Sequence, residues 1–519
     1  MDLSASTISI LGLGAALAAL AFRTRDTRKL PPGPPRKFLL GNVFDVPRPP
    51  EEWKVLAGFG KKYGASRPVT YLRVLTMEVI VLNTMQAVTD LLEKRSAIYS
   101  DRPRLPMACD IIGFDWVTAL MPYGPWWRLH RRELHNVMNE NAATKYWDVH
   151  QKLNLRFLKR IMDDPADWWE ATMWLSGANV VHLSFGMDAA PKNDPWIQLA
   201  VDVVEVGSQV SSFGMYLVDW MPSFKHIPSW FPGAKFKRDG LAWRGIQSRS
   251  KNVPFEEVKR NMAAGTAQQS IASELLDRQH DDASLSEDLI KNVVGVMFVA
   301  GLDTTLSSLR SFFHAMVLNP SIQRLAQEEI DRVIPDGRLP TLHDRHRLPY
   351  VDAVVREIMR RYPVLPLAVA HRLSEDDEYQ GMHLPKGATV IPNTWAILNN
   401  PEDYPDPQAF KPERYLRDDV LDPNAPNPYV VVFGYGRRIC PGRHIADAEL
   451  WLLVATMLSC YNISPAKDAR GQDIVPSSFM SSGVISMLDQ FPCEITLRSD
   501  ERKHAIVNEL DRVEHSSGA

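Results

Sequence analysis

Apolar positions along this chain change period several times, and each change marks an element. Residues 3–22 are mostly apolar, with Ile8, Ile10, Leu11, Leu13, Leu17 and Leu20 set among alanines and with Ser4, Ser6, Thr7 and Ser9 near the start. A helix of about 20 residues spans about 30 Å, the thickness of a bilayer core. Alternation with β-branched residues over 71–74 and 78–82 predicts a hairpin. Helical spacing predicts helices over 87–94, from Pro125 onward, over 196–210 and over 251–276. Residues 211–240 between the last two are aromatic and proline-rich, and 279–284 are polar. The longest pattern covers 286–318 without a proline; Ser286 is a candidate N-cap and Asn319-Pro320 a stop. Further helices are predicted over 349–361 and 443–458, with a strand, a turn and a strand between 378 and 391. Residues 500–519 are polar and read as a frayed tail.

Composition narrows the possibilities. The chain has 519 residues, a formal net charge of −3 and 23% charged residues, which is no footprint of a nucleic-acid binder. Its four cysteines, Cys109, Cys440, Cys460 and Cys493, show no C-x-x-C spacing, so zinc ribbons, iron–sulfur clusters and a disulfide framework are not expected. Arg23, Arg25, Arg28 and Lys29 follow the first apolar run and Asp2 precedes it. That order is the reverse of a signal peptide and predicts a single-pass membrane anchor with the following chain on the cytosolic side. Pro31-Pro32-Gly33-Pro34-Pro35 is a stiff hinge behind it.

The candidate chemistry lies in Phe433-Gly434-Tyr435-Gly436-Arg437-Arg438-Ile439-Cys440-Pro441-Gly442. A lone cysteine in a glycine-rich loop precedes a helix start, where free N–H groups and the helix dipole favour a thiolate. Glycines at 434, 436 and 442 allow backbone to approach a flat ligand. Such a sulfur suits an axial bond to haem iron; the plainer alternative is a structural cysteine in a tight turn. In the long apolar helix, Ala300-Gly301-Leu302-Asp303-Thr304-Thr305 breaks local helix preference. Threonine hydroxyls there can take backbone carbonyls and bend the helix, and a kink without chemistry is the alternative. Trp127 and Arg131, four apart after Tyr123-Gly124-Pro125, share a face and suit a carboxylate.

These stretches resemble the cytochromes P-450. The cysteine loop is similar to Phe-x-x-Gly-x-Arg-x-Cys-x-Gly at every fixed position. Residues 300–304 resemble the family's Ala/Gly-Gly-x-Asp/Glu-Thr. Trp127-x-x-x-Arg131 and Glu357-x-x-Arg360 have counterparts too, as does Pro412-Glu413-Arg414-Tyr415, with tyrosine for the usual phenylalanine. The resemblance implies a mainly α fold with small β-sheets, a long central helix over the haem and the cysteine loop beneath it. This domain would span 31–499, behind an anchor and basic flank at 1–30 and before a polar tail at 500–519. It implies haem (heme b) with Cys440 as axial thiolate, and Arg102, Trp127, Arg131, His371 and Arg438 as further cofactor contacts. Asp303 and Thr304 would be catalytic, delivering protons. Ile112, Phe114 and Val117, then Val364, Leu367 and Val369, would line the substrate pocket, roofed by 211–240, and the turn 479–483 would return to it. Glu357, Arg360 and Arg414 would be scaffold.

The implied reaction is insertion of one oxygen atom of O2 into a hydrophobic small molecule, in biosynthesis of a terpenoid or polyketide secondary metabolite. Electrons would come from a separate NADPH-cytochrome reductase, and the chain would sit in the endoplasmic reticulum membrane. The alternatives are a haem-thiolate isomerase or dehydratase with no need of a reductase, and a haem carrier without turnover. The hinge, the Tyr-Gly-Pro-x-Trp stretch and the Glu-Asp-Asp-x-Tyr-x-Gly run are similar to fungal members of specialised metabolism.

Overall fold

In the computed structural model the described residues are 29–48, 50–64, 68–210, 214–335 and 337–516. The expected membrane segment lies outside them. Among the described residues, the one helix long and apolar enough to cross a membrane is Glu287–Leu318, and it is mostly buried inside the domain.

Twelve helices of nine residues or more form the framework of the described chain. The first eight are α1 (Glu52–Tyr63), α2 (Pro125–Met138), α3 (Trp147–Asp163), α4 (Trp168–Phe185), α5 (Pro195–Val210), α6 (Lys235–Ala263), α7 (Ile271–Gln279) and α8 (Glu287–Leu318). They are followed by α9 (Pro320–Val333), α10 (Pro349–Arg361), α11 (Arg443–Cys460) and α12 (Asp500–Ser516). Helix α8 runs through the core. Ser286 caps it by accepting from the Leu289 N–H, and Leu289, Phe298, Leu302, Leu309 and Phe312 are fully buried along it. Helix α4 packs on it most closely. A Cβ at Gly301 would lie 2.6 Å from Val180, so this glycine makes room for α4.

Strand β1 (Val69–Val74) and β2 (Met77–Leu82) form the expected hairpin, Tyr71 facing Ile80. Their sheet is completed by β3 (His371–Arg372) and β6 (Thr389–Pro392) in the order β1-β2-β6-β3. Strands β4 (Asp377–Tyr379) and β5 (Met382–Leu384) are a separate hairpin, so the stretch after 378 divides between two sheets. A parallel strand needs a long crossover, and β2 with β6 is such a pair. Pairs β7 (Leu416–Arg417) with β8 (Val420–Leu421), and β9 (Tyr461–Pro465) with β10 (Cys493–Leu497), complete the strands.

Four expectations are corrected. Residues 87–94 begin as an α-turn and then wind wider, as a π-helix over Thr89–Lys94. The helix predicted over 251–276 is two: α6 starts at Lys235, runs through Pro254, and ends before Gly265 at φ +71°; Ser270 then caps α7. Proline removes one hydrogen bond but does not stop a helix that is packed, and Pro254 is buried. Residues 500–516 are no frayed tail. They form α12, which buries Ala505 and Ile506 and is tied down by Gln151–Glu509, Arg156–Glu514 and Arg502–Asp331 contacts. Ile112 and Phe114 are buried in the core, Ile112 beside Gly240 of α6, and only Val117 is half-buried.

Candidate active site

The cysteine loop is a turn closed on itself and locked to a distant segment. The Cys440 N–H donates to Phe433 O at 2.7 Å. Gly434 (φ +79°) and Gly436 (φ +54°) take left-handed conformations. A Cβ at Gly436 would sit 2.2 Å from Leu92 O, so this glycine serves close approach of backbone to backbone rather than to a ligand. Behind the loop, Tyr429 stacks on Phe433 with ring centroids 5.9 Å apart, and its hydroxyl joins Arg345 on Asp447 of α11.

Arg438 is 9% exposed and all three sets of its donors are used: Nε on Ser100 O (2.7 Å), and the two terminal nitrogens on Thr118 O (3.1 Å) and Met121 O (2.8 Å). Its guanidinium lies 4.4 Å from the centre of the Trp127 ring. Trp127 is itself buried, and its indole N–H has no acceptor among the described residues. One turn along α2 stands Arg131, partly buried, with no hydrogen-bond or ion-pair partner among the described residues. It feels the charge of Cys440 and of Arg443. Arg102 is held by the carbonyls of Ala119, Val369 and Ala370 at 2.7–2.8 Å. His371 Nδ1 donates to Tyr99 O at 2.8 Å, the carbonyl fixing that tautomer.

These cations repel one another. Burial and then Arg438 push Arg102 well below its ordinary value; burial lowers Arg438 to about 10, with Arg131 adding to it. Burial, then Arg102 and Arg438, hold His371 well below the usual imidazole range. Among the described residues no carboxylate forms an ion pair with Arg102, Arg131 or Arg438; Asp101 is the nearest compensation, and it accepts the Tyr123 N–H. Burial raises the Cys440 thiol, while the Gly442 N–H, Arg131 and Arg443 favour the thiolate. The residues therefore fit a flat dianion with a soft metal: a cysteine sulfur, an uncompensated cationic rim and an unpaired indole N–H.

On α8, Thr304 Oγ1 donates to Ala300 O at 2.9 Å and Ser308 Oγ to Thr304 O at 3.3 Å, while Ser176 of α4 donates to Leu302 O at 2.8 Å. Ala300 is exposed midway along a mostly buried helix, and Asp303 and Thr304 are half-buried beside it. Burial raises the Asp303 carboxyl to about 6, with Arg310 pulling the other way. Ser307 Oγ donates to Ser486 O and the Ser486 N–H to Val364 O, which brings the carboxyl-terminal turn against α8 and the 364–369 segment.

The scaffold pair is fully buried. Glu357 accepts from Arg360 (2.8 and 2.9 Å), Arg414 (3.2 Å), the Lys411 N–H (2.8 Å) and the Tyr415 hydroxyl (3.0 Å). Arg360 also reaches the carbonyls of Leu398 and Ala409. Tyrosine at 415 thus supplies a donor that phenylalanine lacks. The sequence reading passed over Arg443 and Arg310. Both carry a signal: a cation at a helix start, where the dipole disfavours it, and a cation deep in an apolar helix.

A mainly helical domain with one half-buried cysteine in a locked turn, ringed by unpaired cations, is the architecture of a haem-thiolate protein. The cytochrome P450 family profile matches residues 31–487. The chain is 37% identical over 489 residues to the cytochrome P450 monooxygenase COX2 of Coprinopsis cinerea, covering 93% of this chain and 92% of that relative. It is 37% identical to cytochrome P450 monooxygenase claR of Ampulloclitocybe clavipes (92% and 88% covered) and 36% to tryptamine 4-monooxygenase of Psilocybe cyanescens (95% and 98%). The chain belongs to the cytochrome P450 family, whose cofactor is haem b and whose curated fungal relatives are named as monooxygenases.

Proposed function

We propose that this chain is a haem-dependent monooxygenase that hydroxylates a hydrophobic small molecule in fungal secondary metabolism, of terpenoid or polyketide size. The observation that carries it is Cys440 in a turn closed by its own N–H on Phe433 O and locked through Arg438, in a chain whose Arg131, partly buried, has no hydrogen-bond or ion-pair partner among the described residues. When bound, haem supplies the oxidation chemistry, activating O2 and transferring one oxygen atom to substrate. Cys440 would hold the iron through its sulfur, with the Gly442 N–H and the charges of Arg131 and Arg443 favouring the thiolate against the burial that raises the thiol. Arg102, Arg131, Arg438, His371 and the Trp127 N–H would hold the propionates. Burial raises the Asp303 carboxyl to about 6, so it takes up a proton from just below neutral pH and can pass it to the Thr304 hydroxyl, which must first leave the Ala300 carbonyl. The half-buried Val299, Val364, Leu367 and Val369 and the exposed Ala300 offer substrate an apolar, water-poor surface.

Electrons come from a separate NADPH-cytochrome reductase. Anchorage in the endoplasmic reticulum membrane through the amino-terminal segment is supported by exposed Leu217, Trp230 and Phe231 on the roof segment, at 70%, 78% and 48% exposure. One relative is named for oxidation of tryptamine, so aromatic amines belong in a substrate screen beside terpenoids and polyketides. The test is spectroscopic and chemical. The reduced, carbon-monoxide-treated protein is expected to show the red-shifted Soret band of sulfur-ligated iron, and Cys440→Ala to lose it. Oxygenated product is expected only with NADPH and reductase; product without them would favour an isomerase or dehydratase instead.

A further inference from the structure

Helix α8 carries one cation beyond its first two turns, Arg310, and nothing assigned so far uses it. It is 5% exposed, yet among the described residues no carboxylate comes within ion-pair distance of it. Its guanidinium lies 3.6 Å from the centre of the Trp169 ring and one terminal nitrogen donates to Trp169 O at 3.1 Å. Its Nε–H is buried without an acceptor among the described residues. A buried charge left so incompletely paired is expensive to keep and calls for a reason. Seven residues separate it from Asp303, which places the two on one face, and helical side chains lean toward the amino-terminal turns. Asp303 in turn has no hydrogen-bond donor among the described residues. On the other side stands Glu170, exposed in the first turn of α4 beside Trp169.

We infer that Arg310 is a positioning residue for Asp303: its charge sets when Asp303 gives up a proton, and the exposed carboxylate of Glu170 moderates that charge. This rests on the reading of Asp303 and Thr304 as the proton relay. Arg310 is the charge that bears on Asp303, and Glu170 and Asp303 are the charges that bear on Arg310. A cation facing the ionised carboxylate draws the proton off; a surface carboxylate facing that cation moderates the pull. Each proton that leaves Asp303 for Thr304 is replaced from solvent water, and Arg310 remains charged throughout.

Infrared difference titration of the haem-loaded full chain, with Asp303→Asn as the reference, follows the Asp303 carboxyl band directly. Arg310→Gln is expected to raise its midpoint by about one pH unit. Arg310→Lys should restore it, and Glu170→Gln should move it in the opposite direction. The share of NADPH electrons appearing as peroxide should rise in Arg310→Gln and fall back in Arg310→Lys. A midpoint unmoved by Arg310→Gln and by Glu170→Gln overturns the inference. Glu170 is on the surface, so its variant decides alone if Arg310→Gln fails to fold. Full coupling in Asp303→Asn and Thr304→Ala would instead remove the relay itself, a separate failure visible without touching Arg310.

Discussion

Tyr415 stands where the family pattern has phenylalanine, and its hydroxyl is one of the donors that saturate the buried carboxylate of Glu357. Removing a donor from a buried charged acceptor costs about 1–3 kcal/mol. Tyr415→Phe is therefore expected to lower the unfolding free energy by that amount in denaturant titration, although the substitution restores the commoner residue. Glu449 on α11 is a second buried acid, 6% exposed, with Asn179 donating to it at 3.2 Å. Burial raises it from 4.5 to about 8. The folded state thus holds a proton that the unfolded chain has already released above about pH 4.5, the ordinary value. That contribution is complete below the ordinary value and is lost as pH climbs through about 8. Glu449→Gln should flatten this part of the curve of Tm against pH, gaining on the parent chain as pH rises. Neither effect is legible in the sequence, because a glutamate's neighbours across three helices set its protonation.

At the scale of elements, the cysteine loop was the most legible part of the chain. Its glycines and its cysteine must stand at fixed offsets, and Gly434 and Gly436 do adopt positive φ. Their reasons differ, which the sequence did not show. At Gly434 a Cβ would meet nothing closer than 3.8 Å, so alanine there faces only the left-handed backbone, about 1–2 kcal/mol. At Gly436 a Cβ would strike the Leu92 carbonyl, and neither backbone can yield cheaply. Gly436→Ala is expected to abolish haem incorporation, and Gly434→Ala to leave a weakened but loaded protein, read from the ratio of Soret to protein absorbance. The central helix was equally legible, since Ser286 and Asn319-Pro320 bracket an uninterrupted apolar pattern. Helix α6 was not: Pro254 and the charged residues before it mask a helix stabilised by tertiary packing. At Gly301 the space left by the missing side chain is taken by Val180, a contact that the sequence did not show.

At the scale of the whole molecule, the carboxyl terminus is part of the fold. Residues 500–516 are rich in charge, so their apolar stripe of Ala505, Ile506, Leu510 and Val513 is easily overlooked. Its period is helical, and it covers α3. Ile506 is fully buried, so Ile506→Ala should cost about 2–4 kcal/mol, seen as a lower midpoint in thermal unfolding, where a frayed tail would show no change. Long-range ties of this kind recur. Arg438 is fastened to the carbonyls of Ser100, Thr118 and Met121, from the opposite part of the chain. A nascent polypeptide still short of Arg438 therefore owns only half of the socket, its early carbonyls waiting for a guanidinium not yet synthesised. On the role proposed for Arg438, cofactor capture then waits until that guanidinium has been made, late in synthesis.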